Sequence, residues 1–220
     1  MLIHAKLNKP CFQVEHWVVI PQLVALSGLS YWYQATHCAA TLDRILALIH
    51  RIEIPALQTW LIRVLRHREI AQPFFQLPAS RQHHHSHPGG LLLHSVECAE
   101  WVERIAKVSL SRKEAALAVT TALLHDLGKI ETLRNTDLGR MVEHEVLSLT
   151  LLEPLLGELE KSWSQGAHAL RQMLSWSSTS GKFPKFPGML LVKMADQYST
   201  ALSARDMAFA DRPAHYYWPV

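Results

Sequence analysis

The sequence predicts an all-α protein, a helical bundle preceded by an N-terminal helical extension. Three observations carry that expectation. Apolar residues recur at helical spacing along most of the chain, helix-starting and helix-stopping residues punctuate them, and no alternating strand pattern of any length appears.

Taken in order, residues 41–51 (TLDRILALIHR) open on Thr41, a good N-cap, and place Leu42, Ile45, Leu46 and Ile49 on one face. Pro55 suits the first turn of a second helix over about 55–67, with Leu57, Trp60, Leu61 and Val64 turned inward. The stretch QPFFQLPASRQHHHSHPGG is rich in breakers and reads as a connection. A helix of about 90–107 follows, then one of about 111–127 with Ser111 as N-cap and Gly128 as stop. Residues 141–157 and 164–176 read as two more helices, SSTSGKFPKFPG as a loop, and Pro187 as the start of a last helix to about 206. The break near residue 80 divides the chain into an N-terminal helical extension (1–80), a bundle carrying the chemistry (81–206) and an aromatic, Pro-rich tail (207–220). The first part holds no chemical motif and reads as packing for the second.

Composition narrows the function classes. Forty-nine percent hydrophobic and 19% charged residues make a globular chain, and a net charge of +3 tolerates an anionic substrate without announcing a nucleic-acid binder. Cys11, Cys38 and Cys98 have no CxxC spacing, so neither a disulfide framework nor a cysteine zinc site is expected, and a cytoplasmic setting is the simplest reading. The N-terminus does not read as a signal peptide. The apolar stretch HWVVIPQLVALSGLSYWY is interrupted by Pro21, Gln22 and Gly28 and falls short of the ~20 apolar residues of a span, so no membrane association is expected. No GxxxxGK[ST] loop occurs, which removes that route to NTP hydrolysis.

Histidine and aspartate carry the chemistry. In LLHDLGK (123–129), His125 and Asp126 stand at the C-terminal end of an apolar helix, the negative end of its dipole, where a buried carboxylate needs a cation or donors. A divalent metal bound by both would meet that need. Ala118, Thr121 and Ala122 on the same helix are small enough to admit a close neighbour. Five of the 14 histidines fall within HHHSHPGGLLLH (83–94), and His94 lies on an apolar helix face with Leu91, Cys98, Trp101 and Ile105. Singly it would be a satisfied core histidine; with His125 and Asp126 on the next helix it becomes a candidate ligand. Asp196 sits mid-helix in VKMADQYST among apolar residues, either seeking a partner or lying on a polar face with Lys193 and Gln197.

His94, His125-Asp126 and Asp196 on successive helices, in the contexts HHxxPGGLLxH, LLHDxGK and ADxxS, resemble the HD superfamily of metal-dependent phosphohydrolases. Within it, HHHSHPGGLLLHSVECA is most like two branches: the HD-type 3′–5′ exoribonucleases and the HD-like N-terminal domain of MobH-type conjugative relaxases. The resemblance covers about 80–205. It implies an HD-domain helical bundle and a metal held by His94, His125, Asp126 and Asp196. The ion would be Mn, Fe, Ni, Co or Mg, with a mononuclear site preferred over a dinuclear one. It also implies Asp126 as a base orienting a metal-bound water and Lys129 as a charge on a phosphate oxygen, the alternative for Lys129 being a helix-terminal cation.

Two-metal members add a lone histidine and then an adjacent pair before the last aspartate. His144 suits the first, as a second-metal ligand, a phosphate contact or a surface residue; SWSSTSG stands where the pair would fall, and His168 lies too early. His84 and His85 are the other candidates for a second metal or phosphate. Arg81, His83, Lys182, Lys185 and Arg205 are candidate substrate contacts, and Phe183 and Phe186 interleave with the lysines as base-stacking or buried rings. The function implied is phosphohydrolase or phosphodiesterase action on a nucleotide or a single-stranded nucleic acid. The competing reading is a non-catalytic or relaxase-associated DNA-processing module of a mobile element that keeps its metal for structure or nucleic-acid binding.

Overall fold

A computed structural model describes residues 2–8, 11–18, 39–81, 85–176, 183–213 and 215, with side chains from residue 39 onward. From there the fold is all-α, as the sequence predicts. Ahead of it, β1 (Leu2–Asn8) and β2 (Cys11–Val18) pair as an antiparallel ribbon with a bulge between His4 and Ala5. That corrects the expectation of helices throughout residues 1–80. The signal is short: Ile3, Ala5 and Leu7 alternate with polar residues, then Phe12 and Val14 do. Most of the apolar stretch 16–33 lies outside the described residues.

Three helices follow. α1 (Ala39–Arg51) starts two residues before Thr41, which is buried within it and so is not its cap; Leu42, Ile45, Leu46 and Ile49 face inward as expected. α2 (Pro55–Arg66) has its proline in the first turn, and the buried Trp60 Nε1 donates to Leu155 O at 2.8 Å. α3 (Arg68–Gln76) forms where a connection was expected. Its interior Pro73 gives up one helical hydrogen bond, but Ile70, Ala71, Phe74 and Phe75 are all buried, and each large side chain contributes roughly 1.5–3 kcal/mol. The end of α3 sets the next helix: Gly89 N–H donates to Gln76 O at 3.0 Å and Leu91 N–H to Leu77 O at 3.1 Å.

α4 (Gly90–Ser109) and α5 (Arg112–Leu124) pack as a pair, with Ser111 capping α5 by accepting from Glu114 N–H at 3.3 Å. Two short helices, α6 (Lys129–Leu133) and α7 (Asp137–Met141), lead to α8 (His144–Leu174). The two helices expected over 141–176 are this one element, broken only at Trp163 (φ −153°, ψ 76°). α9 (Pro187–Phe209) lies across α4 and α5. One continuous apolar core runs from Leu42 to Ala195, so α1–α3 share it with the later helices. Among the described residues, no helix is long and apolar enough to cross a membrane.

Candidate metal centre

The site begins where α5 ends. His125 keeps helical backbone angles, and the chain turns through Leu127 N–H to Leu124 O at 3.2 Å and Lys129 N–H to Asp126 O at 2.9 Å. Gly128 does not stop the helix by a left-handed turn, as expected, since its φ is −62°. It is glycine for lack of room: a Cβ there would lie 1.9 Å from His144 O. The buried Ser148 Oγ accepts from Gly128 N–H at 2.7 Å and lies 2.8 Å from His125 O and 2.9 Å from His144 O. The first turns of α8 thereby clamp the His-Asp turn.

α4 brings His94. Gly89 is left-handed (φ 78°), and a Cβ on Gly90 would lie 2.0 Å from His85 O, so Gly90 admits the backbone of His85 at the start of α4. His94 is fully buried, as is Cys98 one turn on. The inward face then runs through Ala99, Val102 and Ala106; Trp101 is half-buried and Ile105 is 41% exposed, against expectation. α9 brings Asp196. It approaches α5 closely because Gly188 meets Ala118, where a Cβ would lie 2.9 Å from the alanine methyl.

His94, His125, Asp126 and Asp196 each offer an atom within 4.8 Å of the others. His94 Nε2 lies 3.4 Å from Asp126 Oδ2 and 3.3 Å from Asp196 Oδ1, and His125 Nε2 lies 3.5 and 3.8 Å from the same two atoms. Hydrogen bonding fixes the tautomer of His125. Its Nδ1 is 2.8 Å from Ala122 O, which only accepts, so Nδ1 carries the hydrogen and neutral His125 keeps its lone pair on Nε2. That Nε2 is buried without a hydrogen-bond partner and faces two carboxylates. A lone pair and two anions converging in a buried site call for a cation.

Without a metal, the two carboxylates are met by protons and lysines. Burial opposes the charged form of His94, yet the Asp126 and Asp196 carboxylates raise its pKa to about 11. Burial likewise works against ionised Asp126 and Asp196, and the surrounding histidines, with Lys129 on Asp126 and Lys193 on Asp196, hold both well below the usual carboxylate range. The imidazole and carboxylate set suits a divalent metal ion, and the residues fit one.

The expected neighbours are partly there. Lys129 Nζ is 2.6 Å from Asp126 Oδ2, and its pKa rises despite burial because Asp126 is beside it. His144 is not a remote surface histidine: its Nε2 is 3.4 Å from Asp126 Oδ1. His125, His144, Lys193 and Asp196 line a cavity of about 50 Å³. Asp196 faces the histidines through Oδ1 and Lys193 Nζ, at 3.0 Å, through Oδ2.

Other candidates fall elsewhere. His85 does not join the four; its Nε2 lies 3.1 Å from Glu97 Oε2. Arg205 is exposed and pairs with the adjacent Asp206 at 2.9 Å. Arg81 donates to Thr132 O at 3.5 Å, Lys185 is exposed, and His168 pairs with Glu160 at 2.9 Å. Phe183 is 89% exposed, whereas Phe186 packs against the core. His83, His84 and Lys182 lie outside the described residues. Sequence reasoning missed Glu97, Ser148 and Ser199 as supports. Glu97 is three residues past His94 and Ser199 three past Asp196, so helical spacing pointed to these two but not to Ser148.

Fold and site together define a helical scaffold able to hold a divalent metal through two histidines and two aspartates. The HD domain family profile matches residues 91–213, more than half of the chain, and the protein belongs to that family. Neither a curated protein nor a solved structure matches the chain. HD domains bind divalent metals and are in general hydrolases, which assigns the protein coarsely to that class. The match begins at residue 91, inside the histidine-rich stretch, and takes in His94, while α1–α3 lie outside it.

Proposed function

We propose that the protein is a metal-dependent phosphohydrolase or phosphodiesterase acting on a nucleotide or nucleic-acid phosphoester. His94, His125, Asp126 and Asp196 would hold one divalent ion of the Mn, Fe, Ni, Co or Mg type. The observation that carries this reading is the buried His125 Nε2 lone pair directed, with His94 Nε2, at two ionised carboxylates.

A divalent ion bound there supplies Lewis acidity to a phosphoryl oxygen and acidity to a coordinated water. The chain's own residues do the rest. Asp126 presents Oδ2 to His94 and Lys129 and keeps Oδ1 towards His144, so Oδ1 is the oxygen placed to accept a proton on the open side. Lys129 and Lys193 put two positive charges beside the carboxylates, which offsets the repulsion an anionic phosphate would meet. His144 is one-third exposed beside Asp126 Oδ1 and can donate a proton to a departing oxygen or hold a phosphate oxygen. Among the described residues, Lys185, exposed on the segment before α9, and the exposed Arg81 are candidates for the distal part of the substrate.

Purified protein loaded with Mn, Ni or Mg is expected to cleave bis-p-nitrophenyl phosphate, then members of a nucleotide and oligonucleotide panel, with Asp126→Asn reducing turnover to background. Metal binding with no turnover on any of these would overturn the hydrolase reading and leave the ion a structural role.

A further inference from the structure

Behind His94, away from the carboxylates, runs a chain of polar contacts that the four-residue site does not use. His85 Nε2 lies 3.1 Å from Glu97 Oε2, Ser199 Oγ donates to the same oxygen at 3.1 Å, and His94 Nδ1 lies 3.1 Å from Ser199 Oγ. We propose that Glu97 and Ser199 are positioning residues that hold the hydrogen of His94 on Nδ1 and so keep its Nε2 free to bind the metal, with His85 seating Glu97. The inference rests on the metal-binding reading above.

The directions follow from counting hydrogens. Burial acts against the charge on Glu97, but His85 and Ser199 hold its pKa below the ordinary glutamate value, so it is an ionised acceptor with no proton to give. Ser199 has one hydroxyl hydrogen. Spent on Glu97, it leaves the Ser199 oxygen able only to accept, and the donor must be His94 Nδ1–H. A ligating imidazole is neutral and carries one N–H, so once a metal takes the place of the Nε2 proton, that nitrogen holds its lone pair on the side of Asp126 and Asp196. Without the anion, the Ser199 hydroxyl can rotate and donate to Nδ1. The hydrogen would then sit on Nε2, which cannot ligate.

Helical spacing places the parts. Ser199 is one turn beyond Asp196 and Glu97 one turn beyond His94, so α4 and α9 each contribute one ligand and one support. Ser199 is 2% exposed, which keeps water from replacing it. Glu97 lines an open cavity of about 310 Å³, so its charge can be removed without disturbing packing. A carboxylate acting through a second group on a ligating histidine fixes the ring and raises its basicity, and losing such support costs about 10–100-fold in metal affinity.

Dissociation constants for Mn and Ni, from chelator competition, are compared for wild type, Ser199→Ala, Ser199→Thr, Glu97→Gln and the Glu97→Gln/Ser199→Ala double variant. Ser199→Ala is expected to weaken binding by about 10–100-fold, Ser199→Thr to restore most of it, and Glu97→Gln to cost little more once Ser199 is gone. In the zinc-loaded protein, imidazole nitrogen NMR should show the His94 hydrogen on Nδ1. If wild type binds neither metal, the metal reading itself falls and this inference with it. If wild type binds and Ser199→Ala and Glu97→Gln bind equally well, or the two losses simply add, the positioning role is overturned and the metal site stands. Should Ser199→Ala fail to fold, Ser199→Thr and Glu97→Gln decide the question.

Discussion

Two glycine-to-alanine substitutions, both at α-helical backbone angles or within a helix, should act in opposite directions. At Gly128 the new Cβ would lie 1.9 Å from His144 O, 2.8 Å from His144 C and 2.8 Å from Ser148 N, all backbone atoms. Ordinary contact begins near 3.4 Å, so the start of α8 must retreat by about 1.5 Å from the His-Asp turn. Overpacking of that kind costs about 1–3 kcal/mol. The retreat also breaks the 2.7 Å bond from Gly128 N–H to Ser148 Oγ, and a buried donor left unpaired costs about 1–3 kcal/mol more. A loss near ~4 kcal/mol is expected, and at about 2–4 °C per kcal/mol for a chain of this size the melting temperature falls by roughly 8–16 °C. Because His144 moves away from Asp126, turnover should fall by about 10²-fold as well. Gly157, inside α8, has nothing within 4 Å of its would-be Cβ, so Gly157→Ala should stabilise by about 0.5–1 kcal/mol, or roughly 1–4 °C. Differential scanning calorimetry reads both. A Gly128→Ala protein that melts with the wild type would refute the claim that close backbone contact sets the site.

Two further outcomes follow from the charges. At a metal concentration one hundred times Kd, binding should stabilise the fold by about 2.7 kcal/mol, a rise of about 5–11 °C over chelated protein, and identical melts with excess Mn, Ni or Mg would sink the metal site. In metal-free protein the pKa of His94 is raised from 6.5 to about 11, so its stabilising contribution is complete below about pH 6.5 and is lost as pH rises towards about 11. Denaturation midpoints of chelated wild type should therefore fall across that window with a slope that His94→Gln lacks; parallel profiles would show that His94 is not held by the two carboxylates.

The parts of the site that sequence revealed are those where burial and charge conflict. Asp126 at the end of an apolar helix and Asp196 in the middle of one are costly unless partnered, and that cost is visible in one dimension. The supports were harder to see because nothing about them is costly: a Glu or Ser on a helix is ordinary until its neighbour is known. Ile105 shows the limit of periodicity. Steps of three or four residues from Cys98 lead equally to Trp101 and Ile105 or to Val102 and Ala106, and only the packing of α4 against its neighbours selects the second path. The α8 break was placed correctly but overextended, because the Trp163 backbone leaves the helix for one residue while the helix resumes, with Gly166 making room beneath the Trp163 ring.

The geometry of the four candidate ligands is set largely by residues that would contribute no ligand atom. Gly90 admits the carbonyl of His85, Gly128 that of His144, and Gly188 the methyl of Ala118. At the first two, two backbones come closer than a side chain permits, at the third a backbone meets a methyl, and each lies within eight residues of one of the four site residues. Gly90 seats the start of α4 one turn before His94, Gly128 brings α8 onto the His-Asp turn, and Gly188 lowers α9 onto α5 so that Asp196 can reach the histidines. The side chains then meet because three helices and a turn have nowhere else to go. A short His or Asp side chain has little reach to correct a helix displaced by more than an ångström. The metal site should therefore be more sensitive to a methyl group at these glycines than to conservative changes at the solvent-facing charges around it.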